Sequence, residues 1–279
     1  MISRSASFAI TVVGGPTALL EWAGLRLLLD PTFDEPQRYG PDDDDLEKTA
    51  GPAVPAAELG RIDMALVSHH HHEDNLDHAG RELVLTLPLV LTTPAGAEDL
   101  VAAGGTARVI GLADDESLAL DDPLVVGAAV AERAPAGARA HAVPAHHGPA
   151  EWAERLGPVC GFLLTATGHP TVYVSGDNSQ VSVVETIAAH YGAVDAAVLF
   201  AGAARVPEID APLTLTAADA RAAALALGAR RVVGLHVDQW THFTEGRDAL
   251  EREFAGLESP AGGPLLAHTP LGVRTVVDF

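Results

Sequence analysis

Four short apolar runs in this chain end in residues able to bind a metal ion. Residues 64–67 run directly into Ser68, His69, His70, His71 and His72, followed by Glu73, Asp74, Asn75, Leu76 and Asp77. Residues 142–145 lead to His146 and His147, residues 172–174 lead through Ser175 and Gly176 to Asp177 and Asn178, and residues 232–235 lead to His236. Apolar runs this short, bounded by turn residues, read as buried strands. Such strands belong to sheets covered by other layers. If the four are near neighbours and run in similar directions, their C-terminal ends meet at one edge, where ligands collect in α/β sheets.

The rest of the chain fits a layered design. Residues 8–13, 17–22 and 25–29, separated by Gly14-Gly15-Pro16 and by Ala23-Gly24, predict an antiparallel meander. Further strands are expected at 90–92, 162–165, 196–200 and 273–277. Helices are expected at 181–190, 217–227 and 248–255 from apolar spacings of three and four, with Thr216 and Asp219 forming an N-cap. Interleaved strands and helices imply an α/β or α+β domain. Residues 40–60 are acidic, rich in Pro and Gly, and without hydrophobic period, so they read as a solvated loop. The run Asp42 to Asp45 within it has no other mark of a calcium site.

With 279 residues, no low-complexity linker and no repeat, a single domain over 1–279 is expected. The net charge of −21 repels polyanions and argues against nucleic acid as a partner. One cysteine, Cys160, excludes an internal disulfide and a Cys-rich zinc site. The apolar run before Gly14 is short for a signal peptide and no stretch suits a membrane span, so a cytoplasmic protein is expected. A homo-oligomer is compatible with all of this. Among the 17 basic residues Lys48 is the sole lysine, a bias that reads as genome composition.

A histidine run is otherwise an expression tag or a polar surface loop, but this one is internal, follows a strand and is packed with carboxylates. Imidazoles and carboxylates at this density suit a nitrogen and oxygen metal site. The order of a His-rich cluster with Asp74, a His some seventy residues on, an Asp in a Ser-Gly-Asp turn and a His after a strand resembles the metallo-β-lactamase fold superfamily. Residues 11–30, with Leu-Leu-Glu-Trp and Gly-Leu-Arg-Leu-Leu-Leu-Asp-Pro, resemble the branch holding ascorbate-6-phosphate lactonase and the N-acyl-phosphatidylethanolamine phospholipases. The resemblance implies a four-layer αββα sandwich of two mixed β-sheets flanked by helices. It also implies one or two divalent ions at one edge, zinc first, with manganese or iron as alternatives.

The usual motif of that family, SHxHxDH, fits here only with a one-residue insertion. The resemblance then implies His69 and His71 as the first pair of ligands, Asp74 as the acid, and Asn75 where a His is usual. His72 becomes an extra ligand or a supporting group. His147 is preferred to His146, Asp177 is the carboxylate bridging two metals, and His236 is the last ligand. Acids such as Asp30 or Asp77 would fix the tautomers of His147 and His236. Asp74 is also a candidate base, and His242 and Trp240 are candidates for the substrate pocket, with core packing equally open for Trp240. Pocket walls are expected from residues 32–48 and 203–213.

A divalent cation lowers the pKa of its water from 15.7 to about 7 and polarises a carbonyl or phosphoryl oxygen. The expected function is therefore a metal-dependent hydrolase that uses this hydroxide on a small ester, lactone or phosphoester. A metal-binding or regulatory protein without turnover is the alternative that Asn75 raises. A two-iron redox enzyme is disfavoured because the chain has no room for a flavin domain.

Overall fold

The computed structural model describes residues 7–40 and 46–279, so the Asp42 to Asp45 run lies outside the described residues. In chain order the first strands are β1 (Ser7–Gly14), β2 (Thr17–Trp22), β3 (Leu25–Leu29), β4 (Gln37–Tyr39) and β5 (Leu46–Lys48). There follow β6 (Met64–Leu66), α1 (His78–Val84), β7 (Leu89–Thr92), α2 (Pro94–Ala103), β8 (Arg108–Gly111) and β9 (Ser117–Ala119). Short helices α3 (Pro123–Val126) and α4 (Ala128–Ala131) precede β10 (Arg139–Pro144), α5 (Ala153–Leu156), β11 (Cys160–Thr165) and β12 (Val172–Val174). The last elements are α6 (Val181–Tyr191), β13 (Ala196–Phe200), α7 (Ala217–Ala226), β14 (Arg231–Leu235), α8 (Arg247–Glu253) and β15 (Arg274–Asp278).

Two mixed sheets face each other. One has the order β15-β1-β2-β3-β6-β7-β8, the other β14-β13-β12-β11-β10-β9. Side chains alternate along each strand, so Ala196, Val198 and Phe200 of β13 join the core between the sheets. Ala197 and Leu199 point the other way, toward the layer of α6, α7 and α8, with Val184, Ala220 and Leu250. On the opposite side Leu28, Ala65 and Val90 pack against Val84 of α1 and Leu100 of α2. The result is the αββα sandwich expected from the sequence.

The strand directions position the site. β12, β13 and β14 are mutually parallel. β10 is antiparallel to β11, and β11 is antiparallel to β12, so β10 runs with β12. The ends of β10, β12 and β14 therefore open on one edge, facing the end of β6 in the other sheet. The predicted helices are present, and Thr216 and Asp219 form a reciprocal capping box at α7. No helix among the described residues is long and apolar enough to cross a membrane.

The segment expected to be a featureless loop contains β5, and here the sequence reading is corrected. Lys48 is buried at 1 % exposure, its Nζ 2.9 Å from Asp77 Oδ2. Asp77 also accepts from the backbone N–H groups of Phe33, Asp34 and Gly80. β5 is tied to the segment after β14, since Thr49 N donates to Gln239 O and Thr241 N donates to Glu47 O. The sole lysine is thus a structural residue, holding β5 and α1 together.

Candidate metal centre

The loop after β6 is anchored before it reaches the histidines. Ser68 N and Oγ both donate to the carboxylate of Asp30, each at 2.6 Å, and Ser68 O accepts from Cys160 N in the other sheet. With its own proton committed, Ser68 Oγ accepts from His69 Nδ1 at 2.9 Å, which leaves His69 Nε2 with a free lone pair. His69 Nε2 lies 3.0 Å from His72 Nδ1. The chain then turns, with Asn75 N and Leu76 N both donating to His72 O.

At the end of β10, His147 Nδ1 donates to Leu213 O at 2.8 Å, so its Nε2 is the free nitrogen. Asp177 follows Gly176, whose φ of +55° and whose added Cβ, 2.6 Å from Cys160 O, leave room for glycine alone. His236 ends β14 with a φ of 61°, a costly conformation for a side chain with a Cβ, of order 1–3 kcal/mol. It is held there by His236 N donating to Gly15 O and by a ring stack on Phe200. Gly202 gives it space, because a Cβ there would lie 1.9 Å from His236 O.

These elements bring together two groups of donors. His69, His72 and His147 form one, and Asp74, Asp177 and His236 form the other, the donor atoms within each group lying within 4.8 Å of one another. Asp177 joins them, with Oδ2 3.9 Å from His69 Nε2 and Oδ1 3.6 Å from His236 Nε2. His236 Nε2 is also 3.3 Å from Asp74 Oδ2. Buried Asp177 Oδ2 and His236 Nε2 have no hydrogen-bond partner. Orphaned buried donors and acceptors at this spacing suit divalent ions with bonds of about 2.0–2.2 Å.

Burial dominates the electrostatics. It pushes Asp177 up to about 7 and Asp30 likewise to about 7. Burial acts the same way on Asp74, but the neighbouring imidazoles of His236 and His242 outweigh it and hold that carboxyl well below its usual range. Burial lowers His69 and His147 and takes His72 down to about 3, so these imidazoles are neutral and their lone pairs available.

The placement of the other expected residues differs in part. His71 joins neither group; its Nε2 bonds Leu156 O, and its ring fills the space beside Gly157. The inserted residue therefore sits between His69 and His72, because the turn that delivers Asp74 starts at the His72 carbonyl. His70 and His146 also stay outside both groups. Asn75 Nδ2 donates to Asp30 Oδ2 at 3.1 Å and to Asp177 Oδ1 at 3.0 Å. His242 Nε2 donates to Asp74 Oδ2 at 2.9 Å. Trp240 is buried against Tyr39 and Lys48 instead of lining the pocket. Neither Asp30 nor Asp77 orients His147 or His236: Asp30 acts on His69 through Ser68, and Asp77 serves Lys48. The anchoring role of Ser68 was visible in sequence only as the residue between a strand and the first histidine.

A pocket of about 220 Å³ is bounded by His72, Asp74, His147 and His242. Its walls are aliphatic, from Leu46, Leu156, Ala204, Val206, Ile209 and Leu213. Besides the histidines, Arg155 is the one basic side chain among the described residues of the lining, 65 % exposed and 3.9 Å from Glu208. A larger groove of about 680 Å³ passes His146 and His147 but reaches none of the other donors.

The β-lactamase superfamily domain family matches residues 25–237. The chain is similar in structure to an isothiocyanate hydrolase from Delia radicum gut bacteria, with a TM-score of 0.77 and 20% identity, covering 97% of this chain and 99% of that one. It is similar to a possible metal-dependent hydrolase from Veillonella parvula, with a TM-score of 0.78 and 16% identity over 99% and 100% of the two chains. A metallo hydrolase from Ignicoccus hospitalis, Igni18, aligns with a TM-score of 0.68 and 19% identity over 98% and 99%. No curated protein matches by sequence.

Proposed function

The chain belongs to the β-lactamase superfamily, and on that premise we propose that it is a metal-dependent hydrolase of small, uncharged esters or lactones. The observation that carries this reading is the junction of two donor groups through Asp177 at one end of an aliphatic pocket. Divalent ions, zinc first and manganese or iron as alternatives, would be held by His69, His72 and His147 and by Asp74, Asp177 and His236. When bound they supply Lewis acidity and hydroxide at neutral pH.

The chain's own residues do the rest. The pocket walls hold the apolar part of a substrate and exclude water. Asp74 orients the attacking group and takes its proton. His242, in the pocket lining and hydrogen-bonded to Asp74 Oδ2, passes a proton to the leaving oxygen. A phosphoester fits less well, because Arg155 is the sole arginine or lysine among the described residues of the lining and Glu208 stands beside it. The single cysteine is free and buried, which suits a reducing compartment such as the cytoplasm.

Asn75 favours one second reading, a metal-binding protein without turnover, since it withholds a nitrogen from the second group. The two are separated by turnover of a panel: p-nitrophenyl butyrate, a δ-lactone, an isothiocyanate and bis(p-nitrophenyl) phosphate. Hydrolysis of the neutral members, abolished by chelation and restored by zinc or manganese, supports the hydrolase. Metal-loaded protein that turns over none of them supports the second reading.

A further inference from the structure

The two large sheets end in four edge strands, and three of these are covered, tied down or short. Alongside β14 runs the segment 265–267, with Val232 N donating to Leu265 O and Ala267 N donating to Val232 O. β8 is tied to α3 by Arg108 Nη1, which donates to Leu124 O, and β9 has three residues. Covered and short edges keep a sheet from pairing with another chain. β15 has neither protection among the described residues. It is five residues long, it pairs with β1, and no strand or bridge adjoins its other side.

The sequence of β15 is Arg274-Thr275-Val276-Val277-Asp278. Val277 lies in the core opposite Phe8, so by alternation Arg274, Val276 and Asp278 share the outer face. Val276, at the centre, is 52 % exposed. An antiparallel copy of this strand, related by a two-fold axis at Val276, sets each Arg274 against the other copy's Asp278 and sets the two Val276 side chains together. Opposite charges and β-branched side chains facing each other across strands stabilise a sheet. The charges are free to meet. Asp278 has no ion pair among the described residues, and Arg274 holds Glu21 through Nε and Nη2, leaving Nη1. One step further along, exposed Val273 comes opposite the second copy's Phe279.

The net charge of −21 sets one chain against another, so any self-contact needs a surface of different sign. Arg26, Arg61 and Arg274 line the depression that holds Val276, where Glu21 is the sole acid among the described residues. We infer that β15 binds a second copy of this chain, the two seven-stranded sheets joining edge to edge in an isologous dimer centred on Val276. The contact is independent of the chemistry at the metal centre.

The test is sedimentation of the full chain over a range of concentration, with thermal melts to confirm that each variant is folded. The parent should reach twice the mass of one chain. Val276→Lys places two ammonium groups at the axis and should weaken the dimer about tenfold or more. Asp278→Arg sets arginine against Arg274, and Arg274→Asp sets aspartate against Asp278, so each variant alone should be monomeric. Their equimolar mixture should recover a dimer holding one chain of each kind, read by native mass spectrometry. Such recovery also shows that neither variant is simply misfolded. A parent that stays monomeric at every concentration overturns the inference. So does a dimer undiminished in all three variants, or a mixture of the two charge variants that remains monomeric.

Discussion

Gly202→Ala offers a clean steric test of how the second donor group is built. The backbone of Gly202 is one that any residue adopts, so the cost of alanine lies entirely in the added methyl. That Cβ would sit 1.9 Å from His236 O and 3.2 Å from Phe243 Cβ. Reaching a contact of about 3.0 Å requires the two backbones to part by more than 1 Å. Neither moves freely, because Ala201 N donates to Leu235 O, Glu245 N donates to Gly202 O, and His236 N donates to Gly15 O. Overpacking of this kind costs about 1–3 kcal/mol and the loss of one of these hydrogen bonds about 1 kcal/mol more. The metal-free protein should lose about 2–4 kcal/mol in equilibrium urea unfolding, a fall in Tm of roughly 3–7 °C. The displaced His236 should also cost the second group its ion, read by metal analysis. A variant within about 0.5 kcal/mol of the parent, with full metal content, refutes the steric argument.

Three further outcomes follow from the same geometry. His72→Ala should empty the group of three histidines, whereas His70→Ala and His71→Ala should keep parental metal content; metal analysis of the three variants decides, and metal loss in His71→Ala overturns the placement of the inserted residue. Chelation should lower the Tm, because a ligand present at about 100 times its Kd contributes about 2.7 kcal/mol to the folded state; a Tm indifferent to chelator and to added zinc contradicts the site. Lys48→Met leaves Asp77 buried with backbone N–H partners and no cation, which should cost about 3 kcal/mol in urea unfolding, and a change under about 1 kcal/mol would show that the backbone donors alone suffice.

Much of this architecture was legible in the sequence for a physical reason. Residues 196–200 are apolar throughout because β13 is covered on both faces, and His147, Asp177 and His236 stand out because each ends such a run. Which imidazoles of the run converge was not legible. That depends on the hydrogen bonds of Ser68 to Asp30, 38 residues away, and on a turn closed at His72 O. The tautomer of His147 depends likewise on the carbonyl of Leu213, 66 residues on, and not on a carboxylate that spacing suggests. β5 was hidden because three residues, Leu46 to Lys48, carry no period, and their burial comes from Asp77 and Trp240. Helix α1 has only seven residues, too few for a helical repeat to emerge, though Asp77 marks its N-cap.

The burial of Lys48 has a consequence for the chemistry of the protein's exterior. The chain's sole ε-amine is closed off and ion-paired, so cationic surface is provided by arginine alone. In the folded state, reagents that acylate amines should leave Lys48 unmodified, and a label on Lys48 would report that the segment around β5 had opened.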